Sequence, residues 1–485
     1  MRNDIYRTLF AASLAGLPML PAAQAWAGAL DSNRKLIITD ETFPADKYIL
    51  DQACVMIELY YRMDEDEALV YDPEEPAVVL GRISVRNLFA KQAEDSLAHA
   101  REYLQLRIRS LARFPAAEWS EEQKALRKSF PAAWTDEEIM ASAERMVCRR
   151  GMRRSFRVSL ENGTPYSQLM DSTFRSEGLP TRLKYLAHVE SNFNPAAMAS
   201  SGAAGIWQFM ASSGSRYLVI DDRVDQRMDP RAASLAAAKF LKVCRRHLAS
   251  WPLAIMAYNN GPGQMLDAVK ETGSRDASDI IQNYQGDGFG AVSRNYYAMF
   301  LAASSLGMRS ETLFPSLHKS APMPFRTLKL EHEWTPRQLR ILSGYSTAVL
   351  MRYNPALRPV VFERNLPVPK GYDLILPAGL PSMQDLQFAD LRIGTDPAGS
   401  DQGQSGNSLA GFPMPKFAEN AVRRIRQALF SGRRDQDIPV MAFMHSQGLL
   451  DADRLALARQ DRILIEPHPA LQAMIRDMDG REPGG

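Results

Sequence analysis

The feature that most constrains the fold is a dense series of helix starts between Glu144 and Gly307. Asp229-Pro230 places a capping side chain before a proline at the first helical position, where a missing N–H costs nothing. It leads into the alanine-rich run Ala232–Leu241. Gly178-Leu179-Pro180 precedes a helix that ends near Glu190. Trp251-Pro252 opens another, which carries Ala254–Tyr258 into the turn Asn259-Asn260-Gly261-Pro262-Gly263. Residues 144–310 are therefore expected to form a helical domain.

A chain of 485 residues is too long for one hydrophobic core and predicts about two to four domains. Residues 1–25 read as a cleavable secretory signal. Arg2 and Arg7 precede an apolar stretch from Thr8 to Ala23, and A-x-A sites follow at Ala23-Gln24-Ala25 and Ala25-Trp26-Ala27. The alternative is a short membrane anchor, but the stretch falls below the ~20 residues that span a bilayer. The first cysteine is Cys54, so no lipidated N-terminus is expected. Residues 26–143 read as an N-terminal helical region, with apolar residues at three- and four-residue spacings along Ala90–Leu111 and prolines at 115 and 131. Residues 323–380 read as a small βααβ unit. A strand at Phe325–Leu330 precedes a helix capped by Thr335-Pro336, a second helix from Thr347 to Asn354-Pro355, and a closing strand Tyr372–Leu376. Residues 395–412, rich in Gly, Ser, Asp and Gln, read as a linker. Residues 413–485 read as a helical tail, whose Arg423, Arg424 and Arg426 suit a solvated face.

Charge excludes one class of partner. Lys+Arg total 58 against Asp+Glu 56, a net of +2, without the basic excess of a nucleic-acid binder. Cys54, Cys148 and Cys244 make an odd set with no CxxC spacing, which favours buried small hydrophobes over a disulfide framework. The seven histidines form no HExxH. No metal or cofactor is expected.

Chemistry is visible around Glu190. Leu183, Leu186, Ala187 and Glu190 fall at i, i+3, i+4 and i+7 and share one helix face. A carboxyl that follows an apolar stripe into the interior has its pKa raised by desolvation, as a general acid near neutral pH requires. From this helix alone, a helix-end glutamate tied to a buried arginine is the more ordinary reading. His188 lies on roughly the opposite face and is a poor partner. Downstream, Ser200-Ser201-Gly202-Ala203-Ala204-Gly205 is a small-residue loop that lets backbone approach a ligand. It is followed by Ile206-Trp207-Gln208-Phe209-Met210. Gln208 can donate and accept hydrogen bonds. Trp207 and Phe209 suit either a sugar platform or the core.

The ordered motifs Glu190-Ser191, Gly205-Ile206-Trp207-Gln208, Ala257-Tyr258-Asn259 and Ser293-Arg294-Asn295-Tyr296 resemble the catalytic domain of soluble lytic transglycosylases, of the membrane-bound lytic murein transglycosylase D type. The resemblance covers about residues 148–306. It implies a mainly α protein, with a lysozyme-like helical catalytic domain between the N-terminal helical region and a small α+β unit similar in layout to a degenerate LysM module. It implies cleavage of the MurNAc–GlcNAc β-1,4 bond of peptidoglycan, with Glu190 as acid and then base and a 1,6-anhydro product. By the same resemblance, Tyr258 and Tyr296 line the cleft beside Glu190, and Ser191 supports the helix end. Gln208, Met210 and Asn259 shape sugar subsites or hold the loop; core packing and turn capping remain open for Met210 and Asn259. Two positions depart from the family. Ala199 stands where a serine is frequent, so Ser200 or Ser201 would have to substitute. Val292-Ser293-Arg294 lacks a frequent glutamate. The implied partner is the peptidoglycan glycan strand, with no nucleic acid; peripheral membrane or cell-wall protein partners stay open. The implied location is the periplasm, free or membrane-associated. Two alternatives compete: a muramidase that uses water, and an inactive peptidoglycan-binding scaffold.

Overall fold

The helix starts read above are where the chain turns helical. The computed structural model describes residues 22–85, 90–322 and 324–378. The expected linker and tail, and most of the expected signal, lie outside them. The chain divides into two units, residues 1–333 with 354–377, and residues 334–353 with 378–485.

In the first unit, α1 (Ala22–Arg34) and α2 (Lys47–Ile57) precede a π-helical turn at Glu58–Arg62. Strands β1 (Glu67–Tyr71) and β2 (Val79–Ser84) follow, then α3 (Ala90–Arg113), α4 (Glu121–Arg127) and α5 (Asp136–Arg145). Strand β3 (Val147–Arg150) completes an antiparallel sheet of order β2-β1-β3. The expected N-terminal helical region, 26–143, thus also carries the two strands β1 and β2. Successive residues of β1 enter different cores: Ala68 and Val70 pack with α3, α4 and α5, while Leu69 and Tyr71 pack with α1 and α2. With both faces covered, the strand carries no apolar/polar alternation.

Contacts cross the expected boundary at 143–144. Val147–Arg150 pairs with β1 across it, and Phe43, Ile49 and Ala53 join the core that holds Leu183, Trp207 and Tyr296. Helix α6 (Arg153–Gly163) gives Phe156 and Leu160 to the core of α1 and α2, whereas the core of Leu183 is built from α7 (Ser167–Ser176), α8 (Leu186–Ser191), α9 (Pro230–Leu248), α10 (Trp251–Asn260), α11 (Pro262–Thr272), α12 (Ala277–Asn283) and α13 (Ala291–Met308). Asp229 caps α9, its carboxylate accepting from Arg231 N at 2.9 Å, with Pro230 at the first position. The helix read into Glu190 is composite, a 3₁₀ turn at Thr181–Tyr185 leading into α8.

In the second unit, Thr335 and Gln338 form a capping box on α14 (Pro336–Ser343), and α15 (Thr347–Tyr353) follows. Back in the first unit, a short helix α16 (Pro359–Glu363) lies between Asn354 and the last strand. Strands β4 (Phe325–Lys329) and β5 (Asp373–Pro377) pair antiparallel from Phe325↔Pro377 to Lys329↔Asp373. The buried Asn354 side chain accepts from Ile375 N and donates to Ile375 O, both at 2.8 Å. Helix α16 is an addition to the expected βααβ order.

Cys54 and Cys244 are buried, Cys148 is partly so, and all three are free thiols. Burial pushes Cys54 and Cys244 up to about 12 and Cys148 to about 11, which keeps them unreactive. Among the described residues, no helix is long and apolar enough to cross a membrane.

Candidate active site

Glu190 occupies the last turn of α8. Leu183, Leu186 and Ala187 anchor this segment in the core with no exposed surface. The chain then passes through left-handed backbone at Asn192 and Phe193, with φ of 53° and 54°. Such conformations persist when surrounding contacts enforce them. Phe193 is buried against the His188 ring at 4.4 Å. His188 itself points to Ser159, whose Oγ lies 2.5 Å from Nδ1, and burial beside Lys184 lowers its pKa to about 3. It remains a neutral structural group.

Glu190 is half-buried. Burial pushes its carboxyl up to about 7, against a smaller opposing effect from Tyr296, whose hydroxyl donates to Oε1. Among the described residues no ion pair involves Glu190, so the arginine-tied alternative does not apply. Tyr296 is buried in α13 and does not line the cleft; it reaches the carboxyl from within the core. Burial and the nearby Glu190 charge both push its phenol well up, so it stays a donor.

The cleft in front of Glu190 has a volume of about 630 Å³. Ser201, Gln208, Met210, Tyr258 and Asn259 line it, together with Ala199, Phe209 and Arg216. Ser200 does not, so only one of the two serines put forward to replace the serine missing at 199 faces the cleft. Tyr258 donates to Trp207 O at 2.9 Å. Asn259, next to last in α10, is exposed, and Ser293 Oγ donates to the neighbouring Asn260 Oδ1 at 2.5 Å. Met210 is 40 % exposed at the rim, which answers the core-packing alternative. Val292 is exposed.

The loop 199–209 forms one wall. Gly205 has φ +77°, and a Cβ there would meet Arg227 O at 1.8 Å, so only glycine fits. Trp207, which follows, is fully buried and donates from Nε1 to Ser234 Oγ at 2.9 Å. It is core, not a sugar platform; Phe209 is buried too but touches the cleft. Gln208, with φ +48°, spends its amide nitrogen on Gly205 O at 2.8 Å and Ala197 O at 3.3 Å. Ser191 Oγ donates to Ile206 O at 2.8 Å and ties the end of α8 to this loop.

Three residues that the sequence did not single out, Arg227, Asp225 and Arg358, secure the loop from behind. Arg227 Nη1 donates to Gly202 O at 2.8 Å and Phe209 O at 3.1 Å, while Nε and Nη2 grip Asp225 at 2.9 and 2.8 Å. Arg358 adds a bond to Asp225 at 3.1 Å. Arg227 meets the loop through backbone oxygens, which leave no mark in a sequence.

A family description matches this region. Residues 169–281 match the model described as the transglycosylase SLT domain, and the chain carries such a domain. The match includes Glu190, the loop and Tyr258, and stops short of Tyr296. Membrane-bound lytic murein transglycosylase D of Escherichia coli (strain K12) is 33% identical over 116 residues, covering 24% of this chain and 26% of its own length. A putative tributyltin chloride resistance protein of Alteromonas sp. (strain M-1) is 29% identical over 107 residues, 22% of this chain and 52% of its own. The chain thus spans about a quarter of the first relative's length. Two solved structures overlap it at 16% identity and a TM-score of 0.26. They are an inactive mutant of lytic transglycosylase Slt from Pseudomonas aeruginosa, covering 47% of this chain and 34% of its own, and the 70 kDa soluble lytic transglycosylase of Escherichia coli, covering 52% and 35%.

Proposed function

We propose that the protein is a peptidoglycan lytic transglycosylase that cleaves the MurNAc–GlcNAc β-1,4 bond without water, with Glu190 as its acid and then its base. The observation that carries the reading is a carboxyl at the head of a ~630 Å³ cleft, pushed up to about 7 by burial, with no other carboxylate in the wall among the described residues. An ordinary glycosidase needs two carboxylates, the second to activate water or to attack the sugar. A transglycosylase needs one. Protonated Glu190 gives its proton to the glycosidic oxygen as the C1–O bond breaks. The carboxylate then takes the proton of the C6 hydroxyl on the same sugar, and O6 closes on C1. The nucleophile is tethered, so its effective concentration is high. Glu190 ends the cycle protonated, as it began.

The other groups support these steps. Tyr296 holds the carboxyl in place and eases its ionised form. Ser201, Gln208, Met210, Tyr258 and Asn259 offer contacts to the sugars, and Ser191 fixes the helix end against the loop. We assign the catalytic domain to residues 144–310, together with the N-terminal segments that complete its core. Residues 323–380 are offered as an accessory glycan-binding module. The N-terminal sequence supports export to the periplasm, in line with the membrane-bound relative. The substrate is the glycan strand.

Mass spectrometry of soluble fragments released from purified peptidoglycan tests the reading. Wild-type protein should release 1,6-anhydromuropeptides, and Glu190→Gln should lose about 10²–10⁴-fold in rate or more. Fragments heavier by one water would identify a muramidase instead. Binding to sacculi with no release by either protein would leave only a scaffold.

A further inference from the structure

Arg227 holds the cleft loop, and Asp225 holds Arg227. What holds Asp225 comes from far along the chain. Residues 354–377 lie in the same compact unit as the loop but outside the family match at 169–281, so that match does not dictate how they pack.

The contact begins at a tight hairpin. The Asp221 carboxylate accepts from Arg223 N at 2.8 Å and Val224 N at 2.7 Å, and Ile220 bridges Asp225. Residues 356–358 run antiparallel to this hairpin. Asp225 N donates to Ala356 O at 2.7 Å, Val224 bridges Leu357, and Arg358 N donates to Arg223 O at 2.9 Å. Val224, Asp225, Ala356 and Leu357 are all buried. The Arg358 side chain then clasps both ends of the hairpin. Its Nε donates to Asp221 O at 2.7 Å and its Nη2 to Asp225 Oδ2 at 3.1 Å. The same Oδ2 accepts from Arg227 Nη2 at 2.8 Å, and Arg227 Nη1 reaches Gly202 O and Phe209 O in the loop. Hydrogen bonds to charged groups are about twice as strong as neutral ones, so this series is stiff. It runs without a break from residue 358 to a wall that Ser201, Gln208 and Phe209 present to the cleft.

We propose that Arg358 is a positioning residue for the cleft: through Asp225 and Arg227 it fixes the loop 199–209, and the site is incomplete without residues 354–377. Glu190 is anchored separately, by the buried stripe before it and by Tyr296. Cutting the brace therefore loosens the wall that grips the strand and leaves the acid in place. The kinetic consequence rests on the transglycosylase reading above; the rigidity of the loop does not.

The test compares full-length Arg358→Ala, Arg358→Lys and Arg223→Ala with the wild type by hydrogen exchange and by kinetics. In the loop, Ala199 N donates to Ala203 O, Gly202 N to Ala199 O and Ala204 N to Phe209 O. Arg358→Ala should speed exchange of these amides about tenfold or more, while those of α8 and α13 keep their rates. On purified glycan strands it should raise KM about tenfold, keep kcat within about twofold and leave the basic limb of the pH profile unmoved. Arg358→Lys keeps a cation beside Asp225, but one ammonium lacks the fork that serves Asp221 O as well, so it should recover part of the loss. Arg223→Ala cuts the neighbouring bonds to Pro367 O and Glu333 without touching Asp225, and should match the wild type in both measurements. Unchanged loop exchange and KM in Arg358→Ala would overturn the positioning role. So would an equal loss in Arg223→Ala, which would make docking of the segment as a whole the cause, or a fall in kcat with a shifted limb, which would place the effect on Glu190. If the wild type yields no anhydro products, the transglycosylase reading fails while loop exchange still decides on the brace. If Arg358→Ala loses its fold by circular dichroism, Arg358→Lys decides: faster loop exchange supports the brace, and the wild-type rate overturns it.

Discussion

Asp225 is buried and Glu190 half-buried in the same unit, and their surroundings treat the two carboxyls in opposite ways. Burial raises both. At Asp225 the guanidinium groups of Arg227 and Arg358 more than offset it, and the pKa ends below the ordinary value. At Glu190 the only counterweight is a phenol, and the carboxyl ends near 7. An ion pair fixes a charge for good and suits a staple; a lone buried carboxyl can hold or release its proton, which suits an acid/base. The two sites are linked through the loop, which Arg227 holds from one side while Glu190 faces its other side across the cleft.

Removing the arginine side of the staple should have the largest effect. Arg227→Met leaves Asp225 buried with only Arg358 beside it, and should cost about 3–5 kcal/mol in urea unfolding. Adding Asp225→Leu should restore much of that loss, because the stranded charge is then gone. Freed carbonyls at Gly202 and Phe209 should also loosen the cleft wall and raise KM. If the single variant unfolds like the wild type, the staple carries none of the loop's rigidity.

Removing the lone carboxyl should act in the other direction. In the folded chain Glu190 titrates near 7, above the ordinary 4.5. At pH below 4.5 it is protonated in both states and costs nothing. As pH rises towards 7 the unfolded chain ionises first, so stability falls and then levels off. Glu190→Gln abolishes this loss. The variant should be more stable than the wild type at about pH 8, by up to about 3 kcal/mol, and equal to it near pH 4. Solvent at the outer edge of the carboxyl trims that figure. Melting temperatures at the two pH values check it; an equal gap at both would mean that burial of the charge is not the cause.

The two carboxyls also differ in how far the sequence gave them away. Glu190 follows a regular apolar stripe and stands in an ordered set of local motifs, so its place at the cleft was legible, as were those of Tyr258 and the glycine at 205. Tyr296 was legible as a neighbour but not as a buried one. Trp207 could have been platform or core; the left-handed turn at Gly205 and the Ser234 bond fix it in the core. Asp225 and Arg227 were silent because they lie in an irregular segment with no period and grip backbone. The sheet of β1, β2 and β3 was hidden because both faces are buried. Asp72-Pro73 after Leu69-Val70-Tyr71 was a usable signal for a strand and a turn.

The smallest expected effect probes the counterweight itself. Tyr296→Phe keeps the buried ring and deletes the hydroxyl that donates to Glu190. A hydrogen bond to a charged group contributes about 1.5–3 kcal/mol, and 1.36 kcal/mol corresponds to one pKa unit. The bond favours the ionised carboxyl, so its loss should raise the Glu190 pKa by about one unit or slightly more. In the proposed mechanism the reaction begins with Glu190 protonated, so the basic limb of the kcat/KM profile should move up by the same amount. A purely structural tyrosine would lower the rate at every pH and leave the limb where it was. If the limb moves down instead, the phenol was stabilising the neutral acid, and the contrast between Asp225 and Glu190 is then one of degree, with both carboxyls shaped by burial and only one of them rescued by charge.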